Sequence, residues 1–447
     1  MRSRLTILHE SYRERLERTV LAPLLHTSAG YYAFVFFLVA VIAWGIYAYS
    51  IQLRYGLIVT GARDVVMYGL YIVNFVFFIG ISYAGALVSA ILRLTRAGWR
   101  TPITRMSEII AVGGLLDGAL QPIIDMGRPD RVWHIITYGR FQSPLLWDFV
   151  AIITYLMGSL MYLYLPLIPD MAFLRDRLGQ KVSAFKRRLF TLLAVGWKGT
   201  EQQRQRLESA IGMMAIIIIP LAVSVHTVVA FIFSMTLRPG WNSTIYGIYF
   251  VIGAVFSGTA VLIIIIAIFR RAYHLEEYIT EKHFRNLGYL LLTMLLFYLY
   301  LTFTEYLTIG YKLEVEEKHL LESLLVGKNA PWFWFFGIAG MVVPLFLLAF
   351  SRRGAIRKVV TAAVLVALAM WFKRFIIVVP SLQVPLMPFE FGTYTPTWVE
   401  WSIMGATLAG FTLMVTLATK IMPVISLWEI SEEAEKEPAH AGEVATR

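Results

Sequence analysis

The sequence predicts an all-α polytopic membrane protein: about ten transmembrane helices, forming two repeated four-helix bundles with two peripheral helices. Three observations predict it. Apolar residues make up 58% of the 447-residue chain and charged residues 15%, where a soluble domain carries about 25% charged. Ten apolar stretches follow one another, each of about 20 residues or more and so able to cross ~30 Å of hydrocarbon as a helix. The 40 Lys and Arg divide unevenly, 29 falling on one side of those stretches, 9 on the other and 2 inside a span. A disordered chain, a disulfide scaffold and a soluble enzyme of ordinary composition are excluded.

The spans fall near 31–53, 65–94, 105–127, 144–168, 208–237, 243–269, 286–311, 331–350, 358–381 and 397–422. The first 30 residues are mixed-charge and polar, and lead into a span too long for the apolar region of a signal peptide. The basic excess lies on the side shared by both termini. The positive-inside rule therefore predicts a multi-pass membrane protein with both termini cytoplasmic. The net charge of +11 is thus topological, and no nucleic-acid partner is expected. The 171–207 loop carries Phe185, Leu189, Leu192, Leu193 and Trp197 among Lys and Arg, a pattern for the membrane surface. The tail from Ser431 is Glu/Ala-rich, and its polarity predicts mobility.

One internal repeat sets the domain organisation. Tyr68-Gly-Leu-Tyr-Ile-Val73 opens the second span and Tyr246-Gly-Ile-Tyr-Phe-Val251 the sixth, 178 residues apart, and both spans run the same way. A duplicated four-helix unit accounts for that. The predicted divisions are 1–64 (N-terminal segment and a peripheral helix), 65–237 (first bundle), 243–381 (second bundle) and 397–447 (peripheral helix and tail).

The absence of cysteine excludes protein-ligated iron–sulfur clusters and c-type haem attachment. Of eight histidines only His226 lies well inside a span, so the usual axial pair for a membrane b-type haem is missing and no metal site is predicted. An ionisable group in hydrocarbon costs roughly 2.5 kcal/mol or more, which makes each one a functional candidate. Asp125, Asp148 and His226, with Arg128 and Trp147 beside them, fall near one depth in the outer third of the first bundle. A quinol headgroup needs a hydrogen-bonding partner at each oxygen and a base for each proton, and this set supplies them. Tyr83, Glu108 and Asp117, with Glu305 and Arg374 in the second bundle, are candidates for a proton path. Glu108 and Asp117 are nine residues apart, so they point to opposite faces of one helix. Tyr83 and Glu108 are expected near the cytoplasmic ends of their spans. For each residue the competing reading is structural: a carboxylate capping a helix, a histidine bonded to a carbonyl, Arg128 anchoring a helix end, or Lys373 and Arg374 neutralising Glu305.

Several segments resemble the NrfD/PsrC family of quinone-interacting membrane subunits, and most nearly the large NrfD-like membrane subunit of alternative complex III, a bacterial quinol:electron-acceptor oxidoreductase. They are Gly80-Ile-Ser-Tyr-Ala-Gly-Ala-Leu-Val-Ser-Ala-Ile-Leu-Arg-Leu94, the Gly127-Arg128-Pro129 turn, Ser143-Pro-Leu-Leu-Trp-Asp148, Leu167-Ile-Pro-Asp170, Val223-Ser-Val-His-Thr227, Pro380-Ser-Leu382 and Met422-Pro-Val-Ile-Ser426. The resemblance implies ten helices in two bundles and a quinol (menaquinol) site near the outer surface, with Asp148 matching a family carboxylate. It also implies an extracytoplasmic iron–sulfur subunit, a second NrfD-like membrane subunit and subunits of the cytochrome c type as partners. This chain departs from the family at Tyr83 and Asp125, where histidine is frequent, and near Ile232, where aspartate is. The expected function is that of a quinol-binding subunit, not catalytic alone, which passes electrons outward and releases or translocates protons. The alternatives are a membrane anchor of a molybdopterin/iron–sulfur oxidoreductase, a scaffold without a quinone site, and a secondary transporter.

Overall fold

The computed structural model describes residues 20–178, 182–350, 355–387 and 390–429. The first 19 residues lie outside the described residues, and so does the tail from Ser431, for which mobility is expected. Among those described, ten helices are long and apolar enough to span a membrane, and the all-α polytopic class is as expected. They are α1 (Ala29–Tyr55), α2 (Leu70–Leu94), α3 (Thr101–Asp125), α4 (Pro144–Tyr164), α7 (Glu201–Ser234), α8 (Tyr246–Ala272), α9 (Glu281–Lys312), α11 (Ala330–Ala349), α12 (Ala355–Gln383) and α13 (Trp398–Ile421). Between them lie α5 (Leu167–Leu178), α6 (Ala184–Leu193) and α10 (Val315–Leu325). We call the face with the basic loops inner and the other outer.

The boundaries depart from hydropathy where local chemistry intervenes. Residues 65–69 are not helical; there the chain turns so that Gly69 lies directly against the Tyr394 ring, where a Cβ would collide. The apolar run at 144–168 divides at Pro166, which cannot donate to a helix, and α5 starts just after it. α7 begins seven residues before the apolar run because Thr200 caps it, its hydroxyl accepting from the Gln203 N–H. Inside α11 a wide π turn covers Ile338–Val342 just before Pro344, where a helix interior has no N–H to give. The described part of the 171–207 stretch holds most of α5, all of α6 and the first turns of α7; α5 and α6 pack together, and Leu174, Phe190 and Ala194 there are buried.

Helices α2, α3, α4 and α7 pack together, as do α8, α9, α11 and α12; α1 pairs with α13 against the outside of α2 and α3. Burial follows this arrangement: 78% of the most apolar window of α2 is buried, against 17% for α1, whose apolar side chains point away from the rest of the chain. The two groups meet where α2 crosses α8. Gly258 lies there against Ala84 and the Gly80 carbonyl, and its partner Gly80 faces Ala254. Gly80 and Gly258 are separated by the same 178 residues as the two Tyr-Gly motifs, so repeat-related glycines meet at the seam. In hydrocarbon, where no hydrophobic force joins helices, such small residues allow the close contact that does. A Cβ at Gly258 overlaps the Ala84 methyl. Gly258→Val is therefore expected to cost about 1–3 kcal/mol and lower the melting temperature in detergent, while Gly405→Ala, where an added methyl meets open space, leaves it unchanged.

At the outer face Glu400 ties distant segments together. Its carboxylate accepts from the Thr397 N–H (2.9 Å), the Gly61 N–H (2.6 Å) and the Tyr394 hydroxyl (2.6 Å). The same hydroxyl accepts from the Leu70 N–H at 2.8 Å, fixing the start of α2.

Candidate functional site

The buried face of α4 reads Asp148, Ile152, Tyr155, Ser159 and Tyr162, the spacing that places residues in one stripe. Two rungs join it to α2. Tyr155 donates to the Ser82 carbonyl (3.2 Å), and the Tyr162 and Ser89 hydroxyls are 3.2 Å apart. Both helices advance by seven residues between rungs, a rise of about 10.5 Å. Asp148 tops the stripe, 5% exposed, and its Oδ1 has no partner among the described residues.

His226 comes from α7, two turns from its outer end and six residues after Pro220, which leaves the Ile216 carbonyl without its helical donor. The imidazole lies 4.7 Å from the Tyr83 ring, tilted 45°, and Nδ1 has no partner among the described residues. Asp117 and Gln121, one turn apart on α3, are buried, and the Asp117 Oδ2 and both polar atoms of the Gln121 amide are likewise unpartnered. An unsatisfied buried polar group costs about 1–3 kcal/mol. Here such groups from Asp117, Gln121, Asp148, Ser159 and His226 occur in one bundle, the condition under which water or a polar ligand is expected.

The structure regroups the residues singled out from sequence. Tyr83 is not beside Glu108 at the cytoplasmic end but against His226, because helix crossing, rather than position along one span, sets its neighbour. Asp125 is half-buried and within electrostatic reach of Tyr68, Tyr71 and Glu400, at the α1–α2–α13 side. No hydrogen bond or ion pair among the described residues joins it to Asp148 or His226. Arg128 is 63% exposed and forks onto Asp130 (3.0 and 2.9 Å), as an exposed pair at a turn does. Trp147 is also exposed, and its indole N–H donates to the Phe141 carbonyl. Beside the start of α4 a cleft of about 410 Å³ opens outward, bounded by Met126, Arg131, His134, Tyr138, Arg140 and Leu146. Its basic and aromatic lining came from loop residues with no sequence periodicity, and sequence reading missed it.

Glu108 belongs to an inner-face network, also missed. It accepts from Ser89 (2.9 Å) and lies 3.7 Å from Arg93; Arg93 and Arg100 in turn reach Glu429 at 2.9 and 2.8 Å. Beside them Arg105 pairs with Asp170 (2.8 Å), which also accepts from the Trp428 N–H (3.0 Å). The segment after α13 thus inserts Trp428 and Glu429 under the first bundle. Burial alone lifts a carboxylate, and it takes Asp170 up to about 6 against the pull of Arg105. At Glu429 burial is outweighed by Arg93 and Arg100, which hold the carboxyl below its ordinary 4.5. A depressed carboxyl contributes stability that is present above the unfolded value and lost as pH falls through the folded one. Melting temperatures in detergent should therefore fall as pH drops below 4.5, and Glu429→Gln should flatten that part of the profile.

In the second bundle Glu305, Lys373 and Arg374 are all buried, and no ion pair within 4.0 Å joins Glu305 to either base among the described residues. Arg374 stacks 5.4 Å over Phe250. No group of three or more His, Asp or Glu placed to hold a metal occurs among the described residues.

Two packed helix bundles with unsatisfied acids and a histidine in the interior define a polytopic membrane protein built around buried polar chemistry. The chain belongs to the NrfD family: the family model described as "Polysulphide reductase, NrfD" matches residues 58–385. It is 28% identical over 412 residues to a provisionally named membrane subunit of dimethyl sulfoxide reductase from Halobacterium salinarum, covering 87% of this chain and 89% of that protein. A selenate reductase subunit of Mesobacillus selenatarsenatis is 25% identical over 406 residues, 86% of this chain and 92% of that one. The menaquinone reductase integral membrane subunit of Nitratidesulfovibrio vulgaris is 23% identical over 444 residues, 93% and 95% of the two chains.

Proposed function

We propose that the chain is the quinone-binding integral membrane subunit of an oxidoreductase complex in a bacterial cytoplasmic membrane, with a quinol headgroup held in the outer half of the first bundle. The observation that carries the reading is the set of buried, unpartnered polar groups there, Asp148 Oδ1 and His226 Nδ1 foremost. A quinol offers two hydroxyls, and a carboxylate and an imidazole each accept one and take its proton. The cleft beside α4 serves as the mouth, its size within the about 300–1,000 Å³ of ordinary ligand pockets. The name of the Nitratidesulfovibrio relative, a menaquinone reductase membrane protein, supports a menaquinone-type ligand.

With no cysteine in the chain, electrons leave to a partner, in this reading an iron–sulfur subunit on the outer face of an assembly resembling alternative complex III. Protons are released outward or cross through the Tyr155–Ser82 and Tyr162–Ser89 rungs toward Glu108. A second reading keeps the quinone site but replaces the outer partners by a catalytic reductase subunit; the names of the Halobacterium and Mesobacillus relatives favour it. The test is titration of a menaquinone analogue onto the purified complex. Saturable binding weakened at least about tenfold, 1.4 kcal/mol, by His226→Ala is expected. A complex that binds no quinone, or a variant that binds as the parent does, makes the chain a scaffold.

A further inference from the structure

The second bundle holds its own small cavity, with a buried acid and a buried base in its lining. Lys373, on α12, is 2% exposed. Its ammonium donates to the Tyr306 hydroxyl at 2.9 Å and sits over the faces of Tyr306 (4.9 Å), Phe336 (5.2 Å) and Tyr249 (5.3 Å). Three ring faces and one hydroxyl hold a cation in place but do not neutralise it. The acid facing it is Glu305 of α9, 6% exposed, and the two do not touch as an ion pair within 4.0 Å. Arg374 of α12 is within electrostatic reach of Lys373, and Glu317 of α10 within reach of Glu305. Between Glu305 and Lys373 is a cavity of about 20 Å³ lined also by Tyr246, Tyr249, Tyr306 and Ser381. That is room for one water, which needs ~10–15 Å³ and two to four polar partners, and this lining provides them.

Glu305 also has a route outward. Its Oε2 accepts from the Ser243 hydroxyl at 2.7 Å. Ser243 is half-buried in the loop between α7 and α8, and its neighbours Asn242 and Thr244 are exposed. The Ser243 hydroxyl thus lies between the buried Glu305 carboxylate and an outer loop whose flanking residues are exposed.

We propose that this cavity is a second proton-exchange site, in which one water bridges Glu305 to Lys373 and Ser243 connects the carboxylate to the outer face. Loading adds one proton to a Glu305 oxygen and cancels its charge; Lys373 keeps its three protons, held by Tyr306 and the rings. Unloading returns that proton through Ser243. The site deepens the proton-handling part of the reading above, and it needs no quinone.

Its test is infrared difference spectroscopy on the purified complex in nanodiscs, stepping pH without quinone or turnover. A protonated-carboxyl band that shifts rapidly in D2O is expected, absent in Glu305→Gln. Ser243→Ala keeps the band but loses the rapid exchange. Should Glu305→Gln fail to assemble, Glu305→Asp moves the band's frequency. A band unchanged in both Glu305 variants, or exchange as fast in Ser243→Ala as in the parent, overturns the proposal. Because quinone is absent, a failed quinone titration has no bearing on this outcome.

Discussion

Asp170→Ala is expected to destabilise the protein by about 3–5 kcal/mol, the cost of leaving one half of a buried ion pair behind. Arg105 and Asp170 are 1% and 0% exposed and 2.8 Å apart. Without the carboxylate, the guanidinium keeps its hydrogen bond to the Pro166 carbonyl at 2.9 Å, with Glu108 and Glu429 within electrostatic reach, and the Trp428 N–H loses its acceptor. The polar ties of Glu429 then rest on Arg93 and Arg100, beside the buried Val424, Ile425 and Leu427, so loosening is expected at the inner ends of α2 and α3. The melting temperature in detergent reads the loss. The double variant Arg105→Met/Asp170→Leu, which removes both charges, should recover most of it, since a buried pair replaced by apolar groups is often close to neutral. A double variant as unstable as the single one would show that the pair's hydrogen bonds, not the stranded charge, carry the effect.

Asp148→Asn is expected to lower quinol-dependent turnover of the complex by about 10²–10⁴-fold, the usual worth of a positioned base. The substitution keeps the shape and removes the proton acceptor at the head of the α4 stripe, whose Oδ1 has no other partner among the described residues. Stability should change little, because no ion pair is broken. Asp125→Asn is the informative control. Its carboxyl is within electrostatic reach of Glu400, and no hydrogen bond among the described residues ties it to the α4 stripe, so turnover should stay near that of the parent. Equal losses in the two variants would return Asp125 to the site and contradict the grouping described here.

Much of this fold is legible in one sequence, for a physical reason: each span must be apolar over the thickness of a bilayer, whatever its neighbours. All ten spans fall where hydropathy places them, and the errors of position arise at Gly69, Pro166 and Thr200, where backbone geometry rather than hydropathy sets the end. The buried ionisable residues are equally legible, since any acid or base within an apolar run stands out. What they touch is not. Tyr83 meets His226, and Asp125 comes within electrostatic reach of Glu400, because helix rotation and crossing are decided between helices. Arg128 stands out in sequence as a neighbour of the quinol-site candidates, yet Asp130 two residues on already occupies its guanidinium. Glu429 joins Arg93 across more than 300 residues of chain, beyond the reach of any local pattern. The meeting of Gly80 and Gly258 lies between these cases: the repeat offset is in the sequence, the contact only in the structure.

The central claim, that a quinone ring occupies the first bundle between α4 and α7, is tested most directly by a cryo-EM map of the complex with a menaquinone analogue bound. The predicted result is ring density bridging the Asp148 carboxylate and the His226 imidazole, its tail leaving past the cleft at the start of α4. Ring density elsewhere in the complex, with Asp148 and His226 closed onto each other or onto protein partners, would contradict it.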